Sequence, residues 1–252
     1  MMKRLLKRLL NSQLTGFLCF LIVWQALHLL LNTHTIPSPL DTIVYFLSIP
    51  LVLLKHAGAS ILRVTAAVCV SLLLGIPAGL LLGVNKTIKR LFSPLLYFIY
   101  PIPKIAFLPV FMLLFGLGNT SKIMLIIFII VFQIMLSVRD GVAQIDPVYF
   151  QVMDSFCASP YQQYRYLIVP AVLPQLFSGL RISIGISLAS LFFAENYATQ
   201  FGIGYFILSA WTKMDYVEMF SGILSLGFIG IFLFYLINRL ESFCVPWQKA
   251  KL

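Results

Sequence analysis

Few residues in this chain have types and spacings suited to catalysis. The three histidines are His28, His34 and His56, and none is spaced with carboxylates as a metal site requires. The four cysteines, Cys19, Cys69, Cys157 and Cys244, are scattered, with no Cys-x-x-Cys pair to suggest a metal site or a disulfide framework. No Ser/His/Asp set or paired carboxylates stand out. The sequence carries no Gly-x-x-x-x-Gly-Lys-Ser/Thr loop to cradle nucleotide phosphates. An enzyme is therefore a poor reading. What remains is a handful of polar side chains set in apolar runs: Arg63, Lys104, Arg181, and Glu195 beside Asn196. Ionisable groups in such settings are expensive and are the default functional candidates.

Each candidate also has a plainer reading. Arg63 could attract an anion, or could snorkel to headgroups along its aliphatic stem. Lys104 stands among Pro101, Pro103 and Pro109, where broken backbone often lines a cavity, so a pathway role competes with a structural one. Glu195 could pair with a basic residue of another span or end its helix at the interface. Arg181 reads as an anchor at the start of the same span.

The elements that position these residues follow from composition. Apolar residues make up 60% of the chain and charged residues 10%, with a mean hydropathy of +0.97. A soluble domain has about 25% charged residues, so lipid must solvate much of this surface. The pattern predicts an all-α, polytopic membrane protein forming one membrane domain over 1–252. About six spans of roughly 20 residues each fit this length. The predicted spans are 15–31, 57–84, 91–117, 123–138, 177–197 and 217–237. The third is broken by prolines and is not one straight helix. Gly75, Gly79 and Gly83 form a small-residue face, as do Ser183, Ser187, Ser190 and Ala194, and both suit close helix packing in lipid.

The net charge of +10 could suggest nucleic acid, but its placement points to membrane topology. With both termini in the cytoplasm, only Lys55, Arg63, Lys104, Lys122 and Lys213 of the 18 basic residues fall outside or within the membrane. The others, including Lys3, Arg4, Lys7, Arg8, Lys249 and Lys251, gather on the cytoplasmic side, as the positive-inside rule requires. The same topology puts the polar loop 139–174 in the cytoplasm.

That loop is not a flexible linker. Asp146-Pro147 combines an N-cap residue with proline at the first helical position. Ser159-Pro160 repeats the signal, predicting one helix to about Cys157 and a second to Val169, before Pro170. The first carries Val148, Tyr149, Phe150, Val152, Met153 and Phe156, with only Gln151, Asp154 and Ser155 polar. So much apolar surface must lie against the membrane domain or fill a partner's groove.

The stretch Gln151 to Pro170 resembles the EAA loop of ABC importer permeases, whose pattern is Glu-Ala-Ala, three residues, Gly, nine residues, then Ile-x-Leu-Pro. Here Gln151-Val152-Met153 occupy the first positions, Cys157 the glycine position, Ala158-Ser159 follow, and Leu167-Ile168-Val169-Pro170 close the motif. The spacing is kept, while the acidic residue and the glycine are replaced. Other segments resemble the nitrate, sulfonate and taurine group of these permeases. They include Ser60-Ile61-Leu62-Arg63 with Gly75-Ile76-Pro77-Ala78-Gly79, Pro101 to Pro109 with Phe115-Gly116-Leu117-Gly118, and Ala194-Glu195 to Gly202-Ile203-Gly204-Tyr205.

The resemblance implies a permease subunit of an ATP-driven importer in a bacterial or archaeal cytoplasmic membrane. Two copies of the chain would pair, a dimeric cytoplasmic ABC ATPase would bind ATP and Mg, and an extracytoplasmic binding protein would deliver the solute. The chain itself would bind no cofactor and no nucleic acid. It also implies that Tyr149, Phe150, Gln151, Met153, Asp154, Phe156, Cys157, Ala158, Ser159 and Pro170 form the coupling surface. Arg63, Lys104, Glu195 and Asn196 are the candidates for a pathway carrying a small anion. The alternative class is a stand-alone secondary transporter or channel, which would leave the apolar loop without a purpose.

Overall fold

A computed structural model describes residues 2–31, 33–99 and 101–247, with side chains from residue 15 onward. The basic residues Lys3, Arg4, Lys7 and Arg8 thus fall outside the described side chains, and Lys249 and Lys251 outside the described residues. Every regular element among the described residues is helical. In chain order they are α1 (Met2–Leu31), α2 (Pro39–Ser48), α3 (Pro50–Val84), α4 (Lys86–Ile99), a 3-10 turn (Lys104–Phe107) and α5 (Leu108–Phe115). Then follow α6 (Asn119–Ala143), α7 (Pro147–Ser155), α8 (Pro160–Gln163), a π turn (Tyr164–Ile168), α9 (Val169–Glu195), α10 (Ile203–Thr212) and α11 (Tyr216–Cys244).

Among the described residues, four runs are long and apolar enough to cross a membrane: Pro50–Val84, Asn119–Ala143, Pro160–Glu195 and Tyr216–Cys244. A fifth appears if the pair Lys86–Ile99 and Lys104–Phe115, bent by 83°, counts as one span. Four or five of the six spans expected from the sequence thus meet this measure among the described residues. The remaining candidate, Thr15–Leu31, is a shorter apolar helix, at the low end of the roughly 17–25 residues that can span. The bend in the third stretch falls at Pro101-Ile102-Pro103, where two missing N–H groups leave no regular ladder.

The core is a seam of α3, α6 and α9, built from residues such as Val64, Ile130, Ile134, Val138 and Leu191. Glycines permit the close approach. A Cβ on Gly79 would lie 2.6 Å from the Met135 carbonyl oxygen, and one on Gly83 the same distance from Val142 Cβ. The glycine face therefore packs within this chain against α6. Ser183, Ser187, Ser190 and Ala194 are likewise buried along α9. Outside the seam, Leu62, Leu73, Ile231 and Phe232 point outward, as side chains solvated by lipid do.

The loop between α6 and α9 contains the two expected helix starts. Asp146 Oδ1 accepts the Val148 N–H at 2.9 Å. Ser159 and Gln162 form a reciprocal capping box. The expected end before Pro170 is not there. The chain passes through the π turn directly into α9, so the span begins well before Phe177 and runs through both Pro170 and Pro174. The Val169 N–H reaches back five residues to the Tyr164 carbonyl. That wider turn gives the Pro170 ring room that a regular α-turn would deny it.

Candidate functional site

At the end of the bundle next to α7, the candidate coupling residues divide into two sets. Phe150 and Met153 are half-buried, and Phe150 packs against the main core. Tyr149, Gln151, Asp154, Cys157 and Ser159 are exposed, and Phe156 is 80% exposed. Val148 and Val152 join this outward strip. One turn of α7 thus has two sides: one lies on the membrane domain and the other is presented outward. Ala158 and Pro170 are half-buried behind it. The geometry is held by local bonds. Gln163 Nε2 donates to Asp154 Oδ1 at 2.7 Å, tying α8 to α7. Cys157 adopts φ +52°, and the Ala158 N–H bonds to the Met153 carbonyl at 3.0 Å. This is a helix stop of the Schellman kind, which normally takes glycine at the left-handed position.

The opposite end of the bundle holds Arg63, Glu195 and Asn196. The ends of α6 and α9 remote from α7 meet there, with α3 alongside. Arg63 on α3 is 4% exposed and Glu195 at the end of α9 is 0% exposed, and they form an ion pair. Arg63 Nε also donates to Asn119 Oδ1 at 2.9 Å. The Glu195 carboxylate accepts from Ser60 Oγ at 2.9 Å and from the Gly204 N–H at 2.8 Å, so the start of α10 is pinned to α9. Ser60 Oγ in turn accepts the Ile203 N–H at 2.9 Å. A carboxylate at a helix N-terminus also meets the favourable end of the helix dipole. Gly202, at φ +152°, is required by space, since a Cβ there would lie 2.4 Å from the Glu195 carboxyl carbon. Asn196, with its amide nitrogen turned to donate, bonds the carbonyls of Phe192 at 3.1 Å and Gly204 at 3.0 Å.

Sequence reasoning missed Lys122, the partner roles of Ser60 and Asn119, and the loop that closes over them. Lys122 is 1% exposed. Its Nζ donates to the carbonyls of Leu117, Gly118 and Ala198 at 3.2–3.3 Å. In the sequence it is only one of five basic residues placed outside or within the membrane, and nothing local sets it apart. Together Lys55, Arg63, Asn119, Lys122 and residues 198–201 border a cavity of about 600 Å³.

Lys104 is not part of this cluster. It stands above the Phe132 ring, 5.5 Å from its centroid, and borders a second cavity of about 460 Å³ with Gln133, Ile186, Ser190 and Phe193. Arg181 pairs with Glu241 and donates from Nε to Asn238 Oδ1 at 3.0 Å, joining α9 to α11. Among the described residues no group of histidine, cysteine and carboxylate side chains is arranged to hold a metal ion.

A bundle of apolar helices with one outward-facing amphipathic turn and a buried charged cluster at the other end defines an integral membrane component. Residues 71–248 match the binding-protein-dependent transport system inner membrane component family, and the chain belongs to it. It is a transport subunit of an inner membrane, and the family implies an ATPase and a solute-binding protein as partners. The taurine transport system permease protein TauC of Escherichia coli is 31% identical over 77% of this chain and 70% of its own length. The formylaminopyrimidine transport permease protein ThiX of Halalkalibacterium halodurans is 28% identical, covering 93% and 95%. The bicarbonate transport system permease protein CmpB of Synechococcus elongatus is 29% identical, covering 93% and 87%. The fold is similar to that of the MetNI methionine ABC transporter in an inward-facing conformation. The TM-score is 0.64 at 18% identity, over 79% of this chain and 97% of that one.

Proposed function

We propose that this chain is the translocating half of an ATP-driven importer for a small anionic solute, working as a pair of identical copies. The observation that carries the coupling half of this reading is the outward strip of α7. Tyr149, Val152 and Phe156 are apolar and exposed beside Gln151, Asp154 and Cys157, a surface suited to the groove of a partner. The ATPase docks there and holds ATP and Mg, while this chain binds no nucleotide or other cofactor. Both termini and α7 lie in the cytoplasm, in keeping with the placement of the basic residues.

The anionic cargo rests on two supports. Relatives are named for bicarbonate and for taurine, a zwitterion whose sulfonate end is anionic. The charged cavity also has more cations than carboxylates around it. Arg63, Glu195 and Asn196 hold the framework of that end, and Lys104 lines the pathway at mid-bundle with Ser190 and Gln133. Replacing Phe156 with Asp tests the coupling surface. Co-purification with the ATPase should fall by at least tenfold, because a charge would then have to be desolvated in an apolar groove. Retained ATPase with normal solute-stimulated hydrolysis would count against the reading.

A further inference from the structure

We infer that the cavity between the ends of α3, α6 and α9 is a binding site for one small oxyanion, such as a sulfonate or hydrogencarbonate. There the solute would pause before entering the pathway. The inference rests on the permease reading above and adds where, and by what chemistry, the solute is first held.

The argument is one of charge and position. Three cations border the cavity, Lys55, Arg63 and Lys122, while Glu195 sits behind Arg63 as the one buried carboxylate of the cluster. The cavity therefore faces an excess of two positive charges. Arg63 spends two of its five N–H groups on Asn119 and Glu195, and it borders the cavity as well. Lys122 contributes charge more than hydrogen bonds, because its ammonium already donates to the Leu117, Gly118 and Ala198 carbonyls. Lys55 is exposed at the rim and can close on a ligand. Thr199 and Gln200 add neutral polar groups. A cleft with one sign of charge and low-dielectric walls concentrates ions of the other sign.

Position agrees. The cavity lies at the ends of α6 and α9 that are remote from α7. If α7 meets the cytoplasmic ATPase, this cavity opens on the side from which solute is delivered. The buried cations cannot move away, because Arg63 and Lys122 are each fixed by the bonds described. The positive field is thus preorganised, and an arriving anion does not have to build it.

The test uses the permease assembled with its ATPase in nanodiscs, with Cys19→Ser, Cys69→Ser and Cys244→Ser as background and the native Cys157 kept, its own labelling measured in the assembly without an added cysteine. Thr199→Cys places one thiol at the cavity, Gln200→Cys is the second position should the first not assemble, and Thr35→Cys is the control outside it. Each is reacted with the anionic sulfonatoethyl methanethiosulfonate and the cationic trimethylammonium-ethyl methanethiosulfonate. The anionic-to-cationic rate ratio at Thr199→Cys should exceed that at Thr35→Cys by about tenfold. Lys55→Gln should lower it, and methanesulfonate should slow the anionic reagent at the cavity only. Equal ratios at the two positions, or no protection by methanesulfonate, would overturn the site. So would protection given only by the binding protein, which would make the cavity a docking point for that protein. An assembly that imports solute with ATP but shows no anion preference here sinks this inference alone. Anion preference without ATP-dependent import sinks the permease reading and leaves the site.

Discussion

The two ends of this bundle use side chains in opposite ways. At the α7 end, apolar groups are turned outward: Phe156 is 80% exposed, and Tyr149 and Val152 stand beside it. At the other end, charges are turned inward: Arg63, Lys122 and Glu195 are all buried. The first arrangement costs the folded chain little to alter, because an exposed side chain has few neighbours to disappoint. The second cannot be altered piecemeal, since Arg63 and Glu195 satisfy each other and Lys122 satisfies three backbone carbonyls, all of them groups that would otherwise be bare in an apolar medium. The outward end therefore suits a partner that comes and goes, and the inward end a fixed framework around a cavity.

The largest effect that could break this comparison is at Glu195. Glu195→Ala leaves the Arg63 guanidinium buried without its partner and frees the Gly204 N–H. Breaking a buried pair costs about 3–5 kcal/mol, and here about 3 kcal/mol is expected because Arg63 also borders the cavity. Thermal unfolding of the assembled permease in nanodiscs should show the loss, and Glu195→Ala with Arg63→Met should recover most of it. A single variant that unfolds at the normal temperature would show that the cluster is not a framework. The loop end should respond differently. Phe156→Asp, expected to release the ATPase, should leave the permease's own unfolding unchanged.

The legibility of the sequence follows the same division. What depends on neighbours in sequence was readable: the caps at Asp146 and Ser159, the proline break near Lys104, the glycine face at Gly75, Gly79 and Gly83. What depends on chain segments far apart was not. Nothing within ten residues of Lys122 says that the Ala198 carbonyl will reach it. Arg63 could be read as a candidate but not paired with Glu195, because 132 positions separate them. Pro170 misled for a different reason. The rule that proline ends a helix is sound for regular α-turns, but a π turn just upstream removes the clash.

A smaller effect should come from the cap of α8. Ser159→Ala removes the hydroxyl that accepts the Gln162 N–H and typically costs about 1 kcal/mol. If the loop is an adaptable surface set on a rigid bundle, that cost stays local. Hydrogen exchange should quicken through residues 156–163 while amides of α6 and α9 keep their protection. Faster exchange spreading into α9 would show that the loop and the bundle unfold together, and the contrast between the two ends would weaken.

The smallest effect, and the sharpest for the docking surface, is expected at Cys157. Its φ of +52° places a side chain in a conformation that costs about 1–2 kcal/mol for a residue other than glycine. Cys157→Gly relieves that strain but gives the unfolded chain extra freedom, which takes back about 0.4–1 kcal/mol. A net gain of roughly 0.5 kcal/mol is left, seen as a slightly higher unfolding temperature. The more telling readout is affinity for the ATPase. If the cysteine only fills a left-handed stop that glycine would fill better, the stop geometry persists and binding is unchanged. If the exposed thiol itself packs into the partner's groove, binding weakens although the permease becomes more stable. Opposite signs in the two measurements would put Cys157 among the contacts that select this chain's own ATPase.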